Sequence, residues 1–177
     1  MSERLLSCYQ ISRDFPLPSI QSGAMLGNGN LGVLLWGEKN ILNITFGCAS
    51  LWDHRGGVVW SDKQNFKELR ELLLKGDEDG VKEMFAAENS GRAARPTLIP
   101  LGRIVLKFPQ RSRLLRYEQT LDTGTSKVIY SQAGTEKSLE FRICIGKDFL
   151  LCGGLEDGIT AKLVSAWELT KQRAAEK

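Results

Sequence analysis

A single histidine, His54, stands in the whole sequence. That scarcity is the first constraint. A zinc site built on histidines has only one to use, and the four cysteines form no C-x-x-C pair. Cys8, Cys48, Cys144 and Cys152 each sit in apolar surroundings, which predicts buried thiols. A Cys144–Cys152 bridge across a hairpin is an alternative, with nothing else in the sequence to support it. Charge of one sign is also lacking. Lys and Arg total 24 against 21 Asp and Glu, a net +3. That balance gives no footprint for nucleic acid. The one basic cluster, "QRSRLLR" at 110–116, reads as a solvated loop. No apolar run approaches the ~20 residues of a membrane span. The start, "MSERLLSCYQ", lacks the charged-then-apolar pattern of a secretion signal. An extracytoplasmic location would require that a leader had been removed.

Glycine is plentiful, and it clusters. "GAMLGNGNLGVLLWG", residues 23–37, holds Gly23, Gly27, Gly29, Gly32 and Gly37. A phosphate-binding P-loop needs Lys and Ser or Thr after its last glycine. Val33, Leu34 and Leu35 follow Gly32 instead. Gly27, Gly29 and Gly32 do match the G-x-G-x-x-G spacing of a dinucleotide fingerprint. That motif must leave a strand and open a helix. "FPLPSIQSGAM" before it does not read as a buried strand. "LGVLLWG" after it is a short apolar run with no polar helical face. The segment therefore reads as a turn, with Asn28-Gly29 at its tip, feeding a buried strand.

The rest of the chain reads as strands, then helices, then strands. Strands are expected at 31–36 and 40–46, joined by "GEKN". "SDKQNFKELRELLLK", 61–75, predicts a helix. Ser61 or Asp62 is its expected cap, Phe66, Leu69, Leu72 and Leu73 its apolar face, and Gly76 its stop. A second helix is expected at about 77–88, with Val81, Met84 and Phe85 as its stripe. "ENSGRAARPTLIP" reads as loop. From "GRIVLKF" onward the period is two, through "TSKVIYSQ", "KSLEFRICIG", "DFLLCGGL" and "ITAKLVSAWEL". Such a series indicates an antiparallel sandwich or barrel. Trp36 and Trp167 are expected inside, and Trp60 against Phe66 at the start of the helix. The tail from 171 to 177 is polar.

In this order the motifs resemble the N-terminal β-sandwich of glycoside hydrolase family 95 and its relatives, which include α-L-fucosidases and α-L-galactosidases. The family's G-N-G-x-L-G segment is matched by Gly27, Asn28, Gly29, Leu31, Gly32 and then Gly37. Its Leu-Asn and Leu-Trp pairs are matched by Leu42-Asn43 and Leu51-Trp52. The helix-ending turn resembles Leu73, Leu74 and Gly76. The P-L-G-x-hydrophobic strand resembles Pro100, Leu101, Gly102 and Ile104. The Tyr-x-x-x-Leu-Asp segment resembles Tyr117, Leu121 and Asp122. The likeness runs from about residue 9 to residue 170. "LNITFGCASLW" and the "DHRGG" after it depart from the family's compact wording and place the chain in a distant branch.

The resemblance implies a mainly β fold with two helices, an antiparallel β-sandwich of the supersandwich type, cut short of the family's full sandwich. Residues 1–170 would be that N-terminal domain. It also implies a separate (α/α)6 barrel, which would cleave a glycosidic bond with inversion, using two polar groups that flank the bond and a water. That catalytic barrel lies outside this chain, so the resemblance puts no catalytic residue on it, and it implies no cofactor or metal. Its partners would be the C-terminal barrel and, through the intact enzyme, carbohydrate. A sandwich cut short leaves strand edges uncovered and predicts self-association. A free-standing carbohydrate-binding or interaction module is the rival reading.

The candidate sugar contacts are Trp52, Asp53, His54 and Arg55. Here indole, carboxylate, imidazole and guanidinium adjoin. An indole can stack on a sugar face, and the others can bind hydroxyls. The competing reading packs Trp52 in the core and pairs Asp53 with Arg55 in a turn. Asn28 and Asn30 are further candidates, through their amides, where the glycine turn approaches a barrel mouth. A Ser-His-Asp site on His54 has no G-x-S-x-G elbow to present its serine.

Overall fold

The computed structural model describes residues 9–53, 64–85 and 97–169. They belong to two compact units, one formed by residues 1–51 with 98–177, the other by Trp52–Thr97.

The first unit is a β-sandwich. One sheet has the order β1-β6-β7-β8-β9, the other β10-β5-β4-β3-β2. The first sheet takes β1 (Gln10–Asp14), β6 (Ser112–Thr120), β7 (Thr125–Gln132), β8 (Thr135–Ile143) and β9 (Leu150–Gly153). The second takes β2 (Ala24–Gly27), β3 (Leu31–Glu38), β4 (Ile41–Asp53), β5 (Thr97–Lys107) and β10 (Thr160–Ser165). Every pairing of known register is antiparallel. The mainly β sandwich read from the alternation is therefore the fold.

Alternation decides which side chains meet. Along β3, Leu31, Val33 and Leu35 are buried, and the residues between them are less so. Register carries this face to Leu42 and Ile44 on β4 and to Ala24 and Leu26 on β2. The opposing sheet supplies Leu114, Tyr117, Val128, Tyr130, Leu139 and Phe141. β3 lies over β6, and β2 over β8. Phe108 and Tyr130 pack with ring centroids 4.5 Å apart. Between β3 and β4 the turn needs Gly37, because a Cβ there would stand 2.1 Å from the Ile41 carbonyl oxygen.

Several expectations are corrected. "QRSRLLR" is not a loop: Ser112 onward is β6, a strand flanked on both sides. A bulge between Leu114 and Arg116 breaks its period of two, which is why the alternation was hidden. Its outward Arg116 pairs with Glu118 at 2.7 Å and Glu136 at 3.3 Å. The segment before the glycine turn does form a short edge strand, β2, with Ala24 and Leu26 buried. Trp36 points to the outer face of its sheet and is half-buried, because Leu35 and Gly37 hold the inward positions. Trp167 is 71% exposed, since a helical turn over 166–169 ends the alternation. Cys48, Cys144 and Cys152 are half-buried rather than buried, and all three are free, so no 144–152 bridge forms.

The second unit holds a helical hairpin, α1 (Phe66–Lys75) and α2 (Glu78–Phe85). Asn65 is the N-cap, not Ser61 or Asp62, and its side chain accepts from the Glu68 N–H at 3.0 Å. Gly76 ends α1 in the left-handed conformation, as a C-cap glycine does. Phe66, Leu73 and Leu74 are exposed, so the expected apolar face is not sealed among the described residues. Trp60, Ser61 and Asp62 lie outside them.

Removing the Phe141 ring from the core, Phe141→Ala, is expected to cost about 3–5 kcal/mol. Met25→Ala, on the outer face, is expected to cost about 0.5 kcal/mol or less. Urea unfolding of the two variants checks the contrast. Burial also lifts the Tyr117 and Tyr130 hydroxyls above the ordinary tyrosine range. The unfolded chain would release both protons near pH 10. This contribution to stability is therefore complete below about pH 10 and is lost as pH rises through the folded values. Tyrosinate absorbance is expected to show these two groups ionising late, together with loss of near-UV circular dichroism.

Candidate functional site

The glycine turn is best read atom by atom. Gly29 has φ +96°, which a side chain would resist, so the Asn-Gly tip is required by geometry. The Asn28 Oδ1 accepts from the Asn30 N–H at 3.0 Å and the Leu31 N–H at 2.8 Å. The Asn28 N–H donates to the Leu31 carbonyl at 3.1 Å. The donors a phosphate would need are thus already engaged inside the turn. Gly27 leaves β2 and Leu31 opens β3, a strand–turn–strand where a nucleotide fingerprint needs strand–turn–helix.

The other end of the same carboxamide reaches across the sandwich. Asn28 Nδ2 donates to the carbonyls of Cys144 at 3.0 Å and Lys147 at 3.1 Å. Asn30 Nδ2 donates to Asp148 Oδ2 at 2.6 Å, and Asn30 Oδ1 accepts from the Cys48 thiol at 3.5 Å. The β2–β3 turn of one sheet is thereby tied to the β8–β9 turn of the other. Asn28 and Asn30 come together, and their amides are spent on this tie. Asp148 and the 144 and 147 carbonyls were not legible beforehand: the partners are 116 residues or more apart, and no local spacing signals such a pair.

Trp52 stands at the end of β4, in the second unit, and is 45% exposed. Asp53 is the last residue of β4. His54 and Arg55 lie outside the described residues. The outward face of β4 also carries a cluster the sequence did not announce. Trp36 Nε1 donates to Thr45 Oγ1 at 2.9 Å, and Arg103 Nε donates to the same oxygen at 3.2 Å. The Arg103 guanidinium lies 4.6 Å over the Trp36 ring, a cation–π contact. Together they cover Asn43 and Thr45, both buried on the outer face. This cluster holds the sheet; its polar atoms face one another.

No group of three or more metal-ligating side chains converges among the described residues. A family model described as glycosyl hydrolase family 65, N-terminal domain, matches residues 13–143, well over half of the chain. The chain belongs to this family of glycosyl hydrolase N-terminal domains. No curated protein matches it. The match runs from the end of β1 to the end of β8, so it includes the G-N-G turn and stops just before the opposite turn to which that is tied. The motif order had resembled family 95; what holds is the broader statement, a glycosyl hydrolase N-terminal β-sandwich.

Asn28→Ala removes the bonds donated to Cys144, Lys147 and Asp148 and the two accepted from Asn30 and Leu31. It is expected to destabilise the fold by about 1–2 kcal/mol, the loss of several part-buried hydrogen bonds. Urea unfolding checks this. In a double-mutant cycle with Asp148→Ala the two effects are expected to be non-additive, since both residues serve one tie.

Proposed function

We propose that this chain is the non-catalytic sandwich domain of a glycoside hydrolase resembling family 95, supporting a separate (α/α)6 barrel that cleaves glycosidic bonds by inversion. Membership among glycosyl hydrolase N-terminal domains carries the reading. The internal use of the Asn28 and Asn30 amides supports a scaffold role for the glycine turn. The family 95 resemblance rests on the motif order alone.

Within this reading, the end of β4 meets substrate in the intact enzyme. Trp52 would stack on a sugar face, and Asp53, His54 and Arg55 would bind hydroxyls. The exposure of Trp52 favours this over a core tryptophan. A free-standing carbohydrate-binding module uses the same residues, without a barrel.

Two assays test the proposal. The purified chain is expected not to hydrolyse aryl fucosides or galactosides; turnover that Asp53→Ala abolishes would overturn it. In the full-length enzyme, Trp52→Ala is expected to lower kcat/KM by about ten- to thirty-fold, the worth of a stacking contact. A large drop in Tm with unchanged kinetics would instead assign Trp52 to packing and end the sugar-contact role.

A further inference from the structure

Asn28 is the one asparagine of the chain that is followed by glycine. Asparagine is a chemically labile residue. A following glycine makes it more so, because no Cβ shields the backbone nitrogen next to the carboxamide. Gly29 is exposed at the tip of the turn, and a Cβ placed on it would meet nothing within 4 Å. Water and hydroxide therefore reach this nitrogen.

The fold holds the reaction back. Ring closure needs the Asn28 Cγ to swing onto the Gly29 nitrogen, and the carboxamide is held at both ends. Its Oδ1 accepts from the Asn30 and Leu31 N–H groups. Its Nδ2 donates to the Cys144 and Lys147 carbonyls, with Asp148 Oδ1 at 3.5 Å. That nitrogen must also gain a proton to leave, and these three neighbours are all acceptors.

We propose that Asn28 is a deamidation site gated by the tie between the sheets, and that its conversion opens the tie irreversibly. The Gly29 nitrogen gives its proton to hydroxide and bonds to Asn28 Cγ. The Cγ–Nδ2 bond breaks, and Nδ2 leaves as ammonia with a proton from water. The five-membered imide then takes up water. Cleavage of its bond to Cγ gives aspartate at 28. Cleavage of its bond to the backbone carbonyl carbon gives isoaspartate, with the chain rerouted through the side chain. In sum, one water is consumed and one ammonia released, and nothing is oxidised or reduced. The aspartate still accepts from the Asn30 and Leu31 N–H groups, so the turn itself survives. It has no N–H to give across the sandwich. Its carboxylate faces two carbonyls and the Asp148 carboxylate instead, and acceptors and like charges repel. The half of the tie that reaches the opposite sheet is lost.

The test incubates the whole 177-residue chain in mildly alkaline buffer. Peptide mapping by mass spectrometry reads the change from amide to acid at each asparagine. In the chain unfolded by guanidinium chloride, Asn28 is expected to convert before every other asparagine. In the folded chain its conversion is expected to be at least about tenfold slower, since it requires local opening of the turn. Asp148→Ala removes the acceptor of Asn30 and the third contact of Asn28. It is expected to speed conversion in the folded chain by about three- to tenfold, the worth of one hydrogen bond. In Asn28→Asp, amide exchange is expected to show Asn30 and Leu31 still protected and protection lost in the turn at 144–149. Conversion as fast in the folded chain as in the unfolded one would overturn the proposal, and would make the two N–H groups on Oδ1 a catalyst of ring closure. A rate unmoved by Asp148→Ala, or a 144–149 turn as protected in Asn28→Asp as in the wild type, would overturn it too.

Discussion

Two sheets that share an apolar core still have to close at their ends, where turns carry backbone groups that neither ladder satisfies. At one end that closure is made by a single side-chain amide. Asn28 takes two N–H groups of its own turn on its oxygen and gives its nitrogen to two carbonyls of the opposite sheet's turn. Asn30 adds the bond to Asp148. The shared core sets β2 and β3 over β6 and β8, and the tie shuts this end of the sandwich. The glycines around it follow from the same constraint: Gly29 supplies the positive φ that lets the turn close on the Asn28 oxygen. A phosphate cradle and a sheet tie use the same residue types, and what separates them is where the donors point.

The second sheet is finished on both faces. Its inner face meets the core, and its outer face buries Asn43 and Thr45 under Trp36 and Arg103. Burying Thr45 on the outside of the sheet is tolerated because its hydroxyl is bonded: it accepts from both the indole and the guanidinium. The first sheet differs. Its outer face carries Arg116, Glu118, Glu136, Glu140 and Arg142 in exposed pairs, which keep it soluble and add little stability. The asymmetry suits a scaffold that presents different faces to different surroundings.

The sequence made the sandwich legible wherever side chains kept a strict period of two. β8 emerged this way: Leu139 and Phe141 are buried, and the residues between and beside them are less so. It misled where the period broke. In β6 one extra residue at the bulge shifted Tyr117 relative to Leu114, and the arginines around it looked like a solvated loop. Trp36 was misplaced for a different reason: in "VLLWG" every residue is apolar, so the run gives no phase, and only its register against β4 sends the indole outward. The helix cap moved from Ser61 or Asp62 to Asn65 because several polar residues compete upstream of Phe66. At the glycine turn the local geometry was legible in Asn28-Gly29. Its partners were not, since contacts between distant turns leave no spacing to read.

The glycine turn ties the two sheets together. Amide hydrogen exchange tests that most directly. In the wild-type chain the N–H groups of Asn30 and Leu31 are expected to be protected, and their protection should not change when inorganic phosphate or a nucleotide is added. In Asn28→Ser, protection is expected to fall in residues 28–31 and, together with them, in the turn at 144–149 on the opposite sheet. Protection of the glycine turn gained on adding phosphate, or a 144–149 turn indifferent to the change at Asn28, would contradict it.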